Sequence, residues 1–230
     1  MKAGRFEPRA VHPFKPGIRV LGVAESFDPR RDRRSVLAGV VMRRDLVVDG
    51  VGLGSARLGG YDATESIVRL YRSFGRRDIN VVMLSGAVIS QYNIVDVEKV
   101  ASGTGRPVIC LTYRESRGLE EALRRRFPDD FARKVEAYGK LGGRSELTLK
   151  TGKRLFARLV SLSEADAQRV LDGYVLQGRY PEPVRVAMMV ASAARRAGGG
   201  RPGPARPLRS SAPPPARSSR QPARSNRTSP

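Results

Sequence analysis

The sequence is short of the side chains on which several kinds of chemistry depend. It holds one cysteine, one histidine and no tryptophan. A single thiol excludes an intramolecular disulfide and a cysteine-based zinc cluster. Cys110 stands in the apolar run Val108-Ile109-Cys110-Leu111, where a small buried hydrophobe is expected. His12 lies between Val11 and Pro13 in a proline-punctuated stretch, which argues against a histidine dyad or triad. No apolar run approaches the ~18 residues of a membrane span, and the N-terminus lacks the apolar core of a secretory signal. A cytoplasmic protein is expected.

Acids are scarce as well. Against 43 Lys and Arg stand 22 Asp and Glu, a formal charge of +21. From Ala194 onward there is no acid but nine arginines; without those nine, 34 bases still face 22 acids. The body is therefore basic on its own. Such a balance concentrates polyanions at the surface and speeds encounter with them, so nucleic acid is the expected partner. The runs Arg30-Arg31, Arg33-Arg34 and Arg124-Arg125-Arg126 fit phosphate contacts and solvated surface equally well.

Three regions are expected: an extended arm over 1–16, one domain over 17–196, and a disordered basic tail over 197–230. The arm carries Pro8, Pro13 and Pro16, each of which disfavours helix just before it. The tail is rich in Pro, Arg, Ser and Ala, with Leu208 its only large apolar residue. It cannot bury enough surface to offset ordering entropy.

Between them the pattern is α/β. Strands are expected at 18–23, 35–42 and 46–53, the last two joined through Arg43-Arg44-Asp45. A helix then opens at Asp62, with Glu65 completing a capping-box-like pair and Ile67, Leu70, Tyr71 and Phe74 at helical spacing. The apolar runs 79–84 and 107–113 read as buried central strands. Helices are expected at 93–100, 118–127, 131–138, 163–177 and 183–196, and strands at 146–149 and 155–160. Gly50-Val51-Gly52-Leu53-Gly54 is not a phosphate loop, because no Lys-Ser/Thr or helix follows.

The order β-β-β-α-β-α-β is the plan of a ribonuclease-H-like mixed sheet flanked by helices. Such nucleases hold Mg²⁺ or Mn²⁺ on acids at strand ends to orient water for phosphoryl displacement. Glu25 ends the first strand and Asp62 opens the first helix. Ser85 stands where the central strand ends and a further acid is wanted. Glu25 and Asp62 are the expected metal ligands, with Ser85 the third member of the site. The plainer roles are a solvated strand end for Glu25 and a helix cap for Asp62.

Gly59-Gly60-Tyr61-Asp62-Ala63-Thr64, Met83-Leu84-Ser85-Gly86, Tyr92-Asn93-Ile94-Val95-Asp96, Arg106-Pro107-Val108-Ile109 and Pro181-Glu182-Pro183-Val184-Arg185 occur in the order found in the archaeal endonuclease dU family, which this chain resembles over 17–196. The family is related to endonuclease V. The resemblance implies metal-dependent cleavage of DNA, in preference to RNA, near a deaminated base such as deoxyuridine. Family members often carry paired aspartates where Ala24-Glu25 stand, Asp-Gly where Ser85-Gly86 stand, and a histidine near Met188. These departures set a second expectation beside the first, a protein of the same fold that binds nucleic acid without cutting it. Tyr92, Asn93, Arg114 and Arg185 are the expected nucleic-acid contacts, with Tyr92 and Tyr113 placed to stack on an extruded base.

Overall fold

Every expected strand is found, and the sheet they form is wider than the plan required. The computed structural model describes residues 17–113 and 118–198. The expected arm, Arg114 and nearly all of the expected tail lie outside those residues. Strands β1 (Arg19–Ser26), β2 (Arg34–Arg43) and β3 (Val48–Arg57) form an antiparallel meander. After helix α1 (Ala63–Ser73), β4 (Val81–Leu84) returns parallel to β1. After α2 (Val97–Thr104), β7 (Val108–Thr112) lies parallel to β4. Then come α3 (Glu120–Arg126), α4 (Phe131–Gly139), the antiparallel strands β8 (Ser145–Thr148) and β9 (Arg154–Val160), and helices α5 (Glu164–Tyr174) and α6 (Glu182–Gly198). The seven-stranded order is β3-β2-β1-β4-β7-β9-β8. Among the described residues no helix is long and apolar enough to cross a membrane.

Alternation along the central strands sorts side chains into two cores, as the two-residue period of a strand requires. Leu21, Val23, Val82, Leu84, Val108 and Cys110 join Ile67 and Val100 of α1 and α2 on one face. Val20, Val81, Met83, Ile109 and Leu111 join Val170 and Tyr174 of α5 and Val184 of α6 on the other. Each such side chain contributes ~1.5–3 kcal/mol when fully buried. Gly22 marks where α6 meets the sheet, because a Cβ there would sit 2.3 Å from the Pro183 carbonyl carbon. The glycine row of β3 has a similar origin: a Cβ at Gly52 would come within 3.0 Å of Phe74, whose ring lies on the strand.

Two expectations for 62–100 fail. The segment expected to begin a helix at Asn93 instead forms a second hairpin, β5 (Val88–Ile89) with β6 (Asn93–Ile94), and α2 starts only after Asp96, whose carboxylate accepts from the Lys99 N–H. Asn93 is fully buried and caps a helix distant in sequence. Its Oδ1 accepts from the Ala63 N–H at 3.2 Å, at the start of α1. Asp62 accordingly makes no side-chain cap, and the expected capping box is absent.

Candidate functional site

The turn of the second hairpin is the most unusual backbone among the described residues. Ser90, Gln91 and Tyr92 have φ of 45°, 56° and 69°. Left-handed conformation is disfavoured by Cβ–carbonyl crowding. Three consecutive non-glycine residues hold it only when their surroundings fix them. Here every neighbour does so. Both Glu25 oxygens accept from the Ser90 N–H, at 2.7 and 2.8 Å, and Oε2 also accepts from the Ser90 hydroxyl at 2.6 Å. With its one hydroxyl proton on Glu25, Ser90 is the acceptor for Ser35, whose Oγ lies 2.6 Å away. The Ser90 carbonyl accepts from the Gly59 N–H at 2.7 Å.

Lys134 closes the turn from the opposite side. Its fully buried ammonium donates to the Gly59, Gly60 and Tyr92 carbonyls at 2.7, 2.9 and 2.9 Å. It also lies 4.0 Å from the Tyr61 ring centroid. Those three acceptors use all its donors, and the ring face adds a cation–π contact. Burial holds its pKa below that of an ordinary lysine.

Asp62 reaches the far end of the same turn. Its Oδ1 accepts from the Arg57 N–H at 2.9 Å and from Asn93 Nδ2 at 2.8 Å, and its Oδ2 from Arg34 at 3.3 Å. Burial raises the Asp62 carboxyl, but these bonds and the Arg34 charge outweigh it and hold its pKa below the ordinary value. Glu25 behaves oppositely. Burial pushes its pKa up, and the Ser90 hydrogen bonds offset that only in part.

Glu25 and Ser85 line one small recess with Ala24, Gly86 and Ile89, of about 10 Å³, the space of a single water. Both carboxylates are thus occupied by protein donors, and the third strand end carries a neutral hydroxyl. Among the described residues no group of three or more His, Cys, Asp or Glu is placed to hold a metal ion. A divalent cation needs anionic oxygens with free lone pairs, and Glu25, Asp62 and Ser85 as arranged do not fit it.

The other expected contacts are dispersed. Asn93 is structural. Tyr92 sets its ring edge-on to Phe127 at 5.9 Å. Arg185 is half-buried and bonded within its own helix to Glu182, at 2.8 Å through Nε. Beyond Ser85 the carboxyl ends of β4 and β7 open onto a larger cavity of about 380 Å³, bordered by Tyr113, Tyr138, Arg144, Arg158 and Tyr180.

Sequence reasoning missed Ser90, Lys134 and most of this cavity. The polar run Ser90-Gln91-Tyr92-Asn93 between Val88-Ile89 and Ile94-Val95 is a hairpin signal that would have revealed the turn. Lys134, three residues after Phe131 and four before Tyr138, interrupts an apolar helix stripe, which marks a buried cation.

Comparison with known proteins agrees with this architecture. The chain is 39% identical over 176 residues to the UPF0215 protein of Pyrobaculum calidifontis, covering 76% of this chain and 96% of that one. The fold matches a crystal structure of a protein of unknown function from Archaeoglobus fulgidus with a TM-score of 0.66 at 24% identity, covering 77% and 98% of the two chains. It also matches endonuclease V of Ciona intestinalis, solved with a 24mer DNA containing an inosine followed by a ribo-adenosine (TM-score 0.52, 12% identity, 79% and 87% covered). The expected ribonuclease-H-like fold is therefore present. The model of the endonuclease dU family matches residues 16–195, and the chain belongs to that family.

Proposed function

We propose that this protein binds nucleic acid, DNA in preference to RNA, on an endonuclease V-like scaffold, without metal-dependent cleavage at Glu25 and Asp62. The observation that carries this reading is the use of both carboxylates as internal acceptors for Ser90, Asn93 and the Arg57 N–H. A metal carboxylate must orient a cation as well as carry charge, and these two are oriented toward protein donors. The surplus of bases favours a polyanion, and the DNA-bound endonuclease V of Ciona intestinalis favours DNA as that polyanion.

The test pairs binding with cutting. The chain is titrated into fluorescent single- and double-stranded DNA, with and without deoxyuridine, and matching RNA, over a range of salt. The same substrates are incubated with Mg²⁺ or Mn²⁺. Saturable binding that weakens steeply with salt, without nicking, is expected. Nicking that disappears in Glu25→Ala or Asp62→Ala overturns the non-cleaving reading and restores a metal-dependent, deoxyuridine-directed endonuclease.

A further inference from the structure

Strand β3 is the outer strand on the meander side of the sheet, with β2 as its neighbour. An outer strand offers a row of backbone donors and acceptors to any strand laid beside it, and folded proteins blunt such edges with lysine, proline, bulges or cover. β3 reads Val48-Asp49-Gly50-Val51-Gly52-Leu53-Gly54-Ser55-Ala56-Arg57, without lysine or proline. Its register shift against β2 falls at Val41 and Met42, which leaves Gly50 to Arg57 regular.

The direction of its backbone groups follows from one bond. The Leu58 N–H donates to the Arg33 carbonyl at 3.1 Å, one step beyond the Arg34–Arg57 pair that ends the ladder. Antiparallel pairs alternate between bonded and non-bonded. Ala56, Gly54 and Gly52 therefore turn their polar groups to β2, and Arg57, Ser55, Leu53 and Val51 turn theirs outward. The chain itself covers the end of this row. The Arg57 N–H donates to Asp62 Oδ1 and the Arg57 carbonyl accepts from Asn93, both at 2.9 Å. The Ser55 carbonyl accepts from Arg34 at 3.1 Å. Among the described residues nothing bonds to the outward N–H and carbonyl of Val51 or Leu53.

The side chains follow the same pattern. Val40 and Ala38, paired to Val51 and Leu53, are fully buried on the face that α6 covers, where Ala187 meets Ala24 and Val40. Val51 and Leu53 continue that face past the helix and are 53% and 57% exposed. On the opposite face the strand presents glycine to Phe74 and Leu70. Residues 45–56 hold two acids and no base in a chain of 43 bases, which disfavours a polyanion at this edge and favours a protein.

We infer that β3 pairs antiparallel with β3 of a second copy of this chain, about a two-fold axis at Gly52. In that register Val51 faces the partner's Leu53, and every outward group left open at these two positions finds its complement. Their apolar side chains close on one another across the axis. The end of the strand that carries Asp45 and Asp49 lies toward the partner's Arg34 and Arg57, so opposite charges meet. Moving the axis to Leu53 would set Val51 against the partner's Ser55, whose carbonyl is already taken. The contact is isologous, so it consumes both edges and stops at two copies. One strand pair buries less than the ~1,600 Å² of a standard interface, so micromolar association is expected.

Sedimentation of the full chain, freed of nucleic acid, over about 1–100 μM and a range of salt tests it, together with hydrogen exchange at the Val51 and Leu53 amides. A monomer–dimer equilibrium is expected, stronger as salt screens the +21 charge of each copy, with both amides slow in the dimer. Leu53→Lys and Val51→Lys replace exposed side chains and keep the fold, which circular dichroism checks. Each should weaken the dimer at least tenfold, and Leu53→Ile should retain it. A monomer at the highest concentration, with both amides exchanging fast, overturns the proposal. Slow amides in a monomer overturn it in favour of cover by another part of the same chain. A dimer that survives both lysine variants lies on another face and overturns it too. Association that weakens as salt rises marks copies bridged by a polyanion and does the same. None of these outcomes bears on whether the protein binds nucleic acid.

Discussion

The hairpin corner and the cavity lie on either side of Ser85, and they differ in how their polar groups are satisfied. At the corner, each ionic group has its partners inside the protein: Glu25 has Ser90, Asp62 has Asn93 and Arg57, and Lys134 has three carbonyls. In the cavity, Arg144 stacks over the Phe156 ring, Arg158 donates to the Leu141 carbonyl, and the buried Tyr113 hydroxyl has no hydrogen-bond partner among the described residues. Satisfied polar networks rigidify a fold, whereas unsatisfied groups at a surface opening invite a ligand. At the corner, Glu25 and Asp62 are held by protein donors.

The contrast breaks if stability and binding fail to separate. The largest effect is expected for Lys134→Met, which strands three carbonyls around a buried apolar group. A loss of about 3–5 kcal/mol follows, read as a lower midpoint in thermal or denaturant unfolding. Next is Glu25→Ala, which leaves the Ser90 N–H and hydroxyl unsatisfied and should cost about 2–3 kcal/mol, while DNA affinity in the folded protein stays within about twofold. Loss of affinity without loss of stability would place Glu25 in the binding face instead. Asn93→Ala removes the α1 cap and should cost about 1–2 kcal/mol, with faster hydrogen exchange at the Ala63 amide.

Smaller effects sharpen the comparison. The Glu25 pKa in the folded state lies above its unfolded value of 4.5. The folded state therefore takes up this proton first, and the ionised carboxylate subtracts stability at neutral pH. That penalty fades as pH falls through the folded pKa toward 4.5. Asp62 runs the other way: its lowered pKa gives stability that is lost as pH falls below the ordinary aspartate range. Unfolding of Glu25→Gln against pH should lack the Glu25 component and keep that of Asp62. Least of all, Arg144→Gln should reduce the slope of log affinity for DNA against log salt by about 1.

How far the sequence reveals this follows the range of the interactions involved. The sheet was legible because buried strands are apolar runs and their alternation is local. Val81 to Leu84 and Val108 to Leu111 show it directly. The corner was not, because its decisive contacts cross 30 to 75 positions: Asn93 to Ala63, Glu25 to Ser90, Lys134 to Gly59. Asn93 and Asp62 both have capping chemistry, and sequence alone gave each to the helix that follows it. The cap that Asp62 was expected to supply comes from Asn93. Of the positions Glu25, Asp62 and Ser85, Glu25 and Ser85 share a recess, and Asp62 reaches the same hairpin from its far end. What the spacing of acids does not encode is the direction in which their lone pairs point.

Lys134 occupies the place that a captured alkali cation would take in a ring of carbonyl oxygens, but it is tethered to α4 by its own side chain. The hairpin therefore carries its counter-ion with it, and its shape is set by the chain and not by the ions of the medium. An amine so enclosed is also shielded from acylating reagents, so its modification can proceed only when this corner opens. Its labelling rate is a clock for that opening.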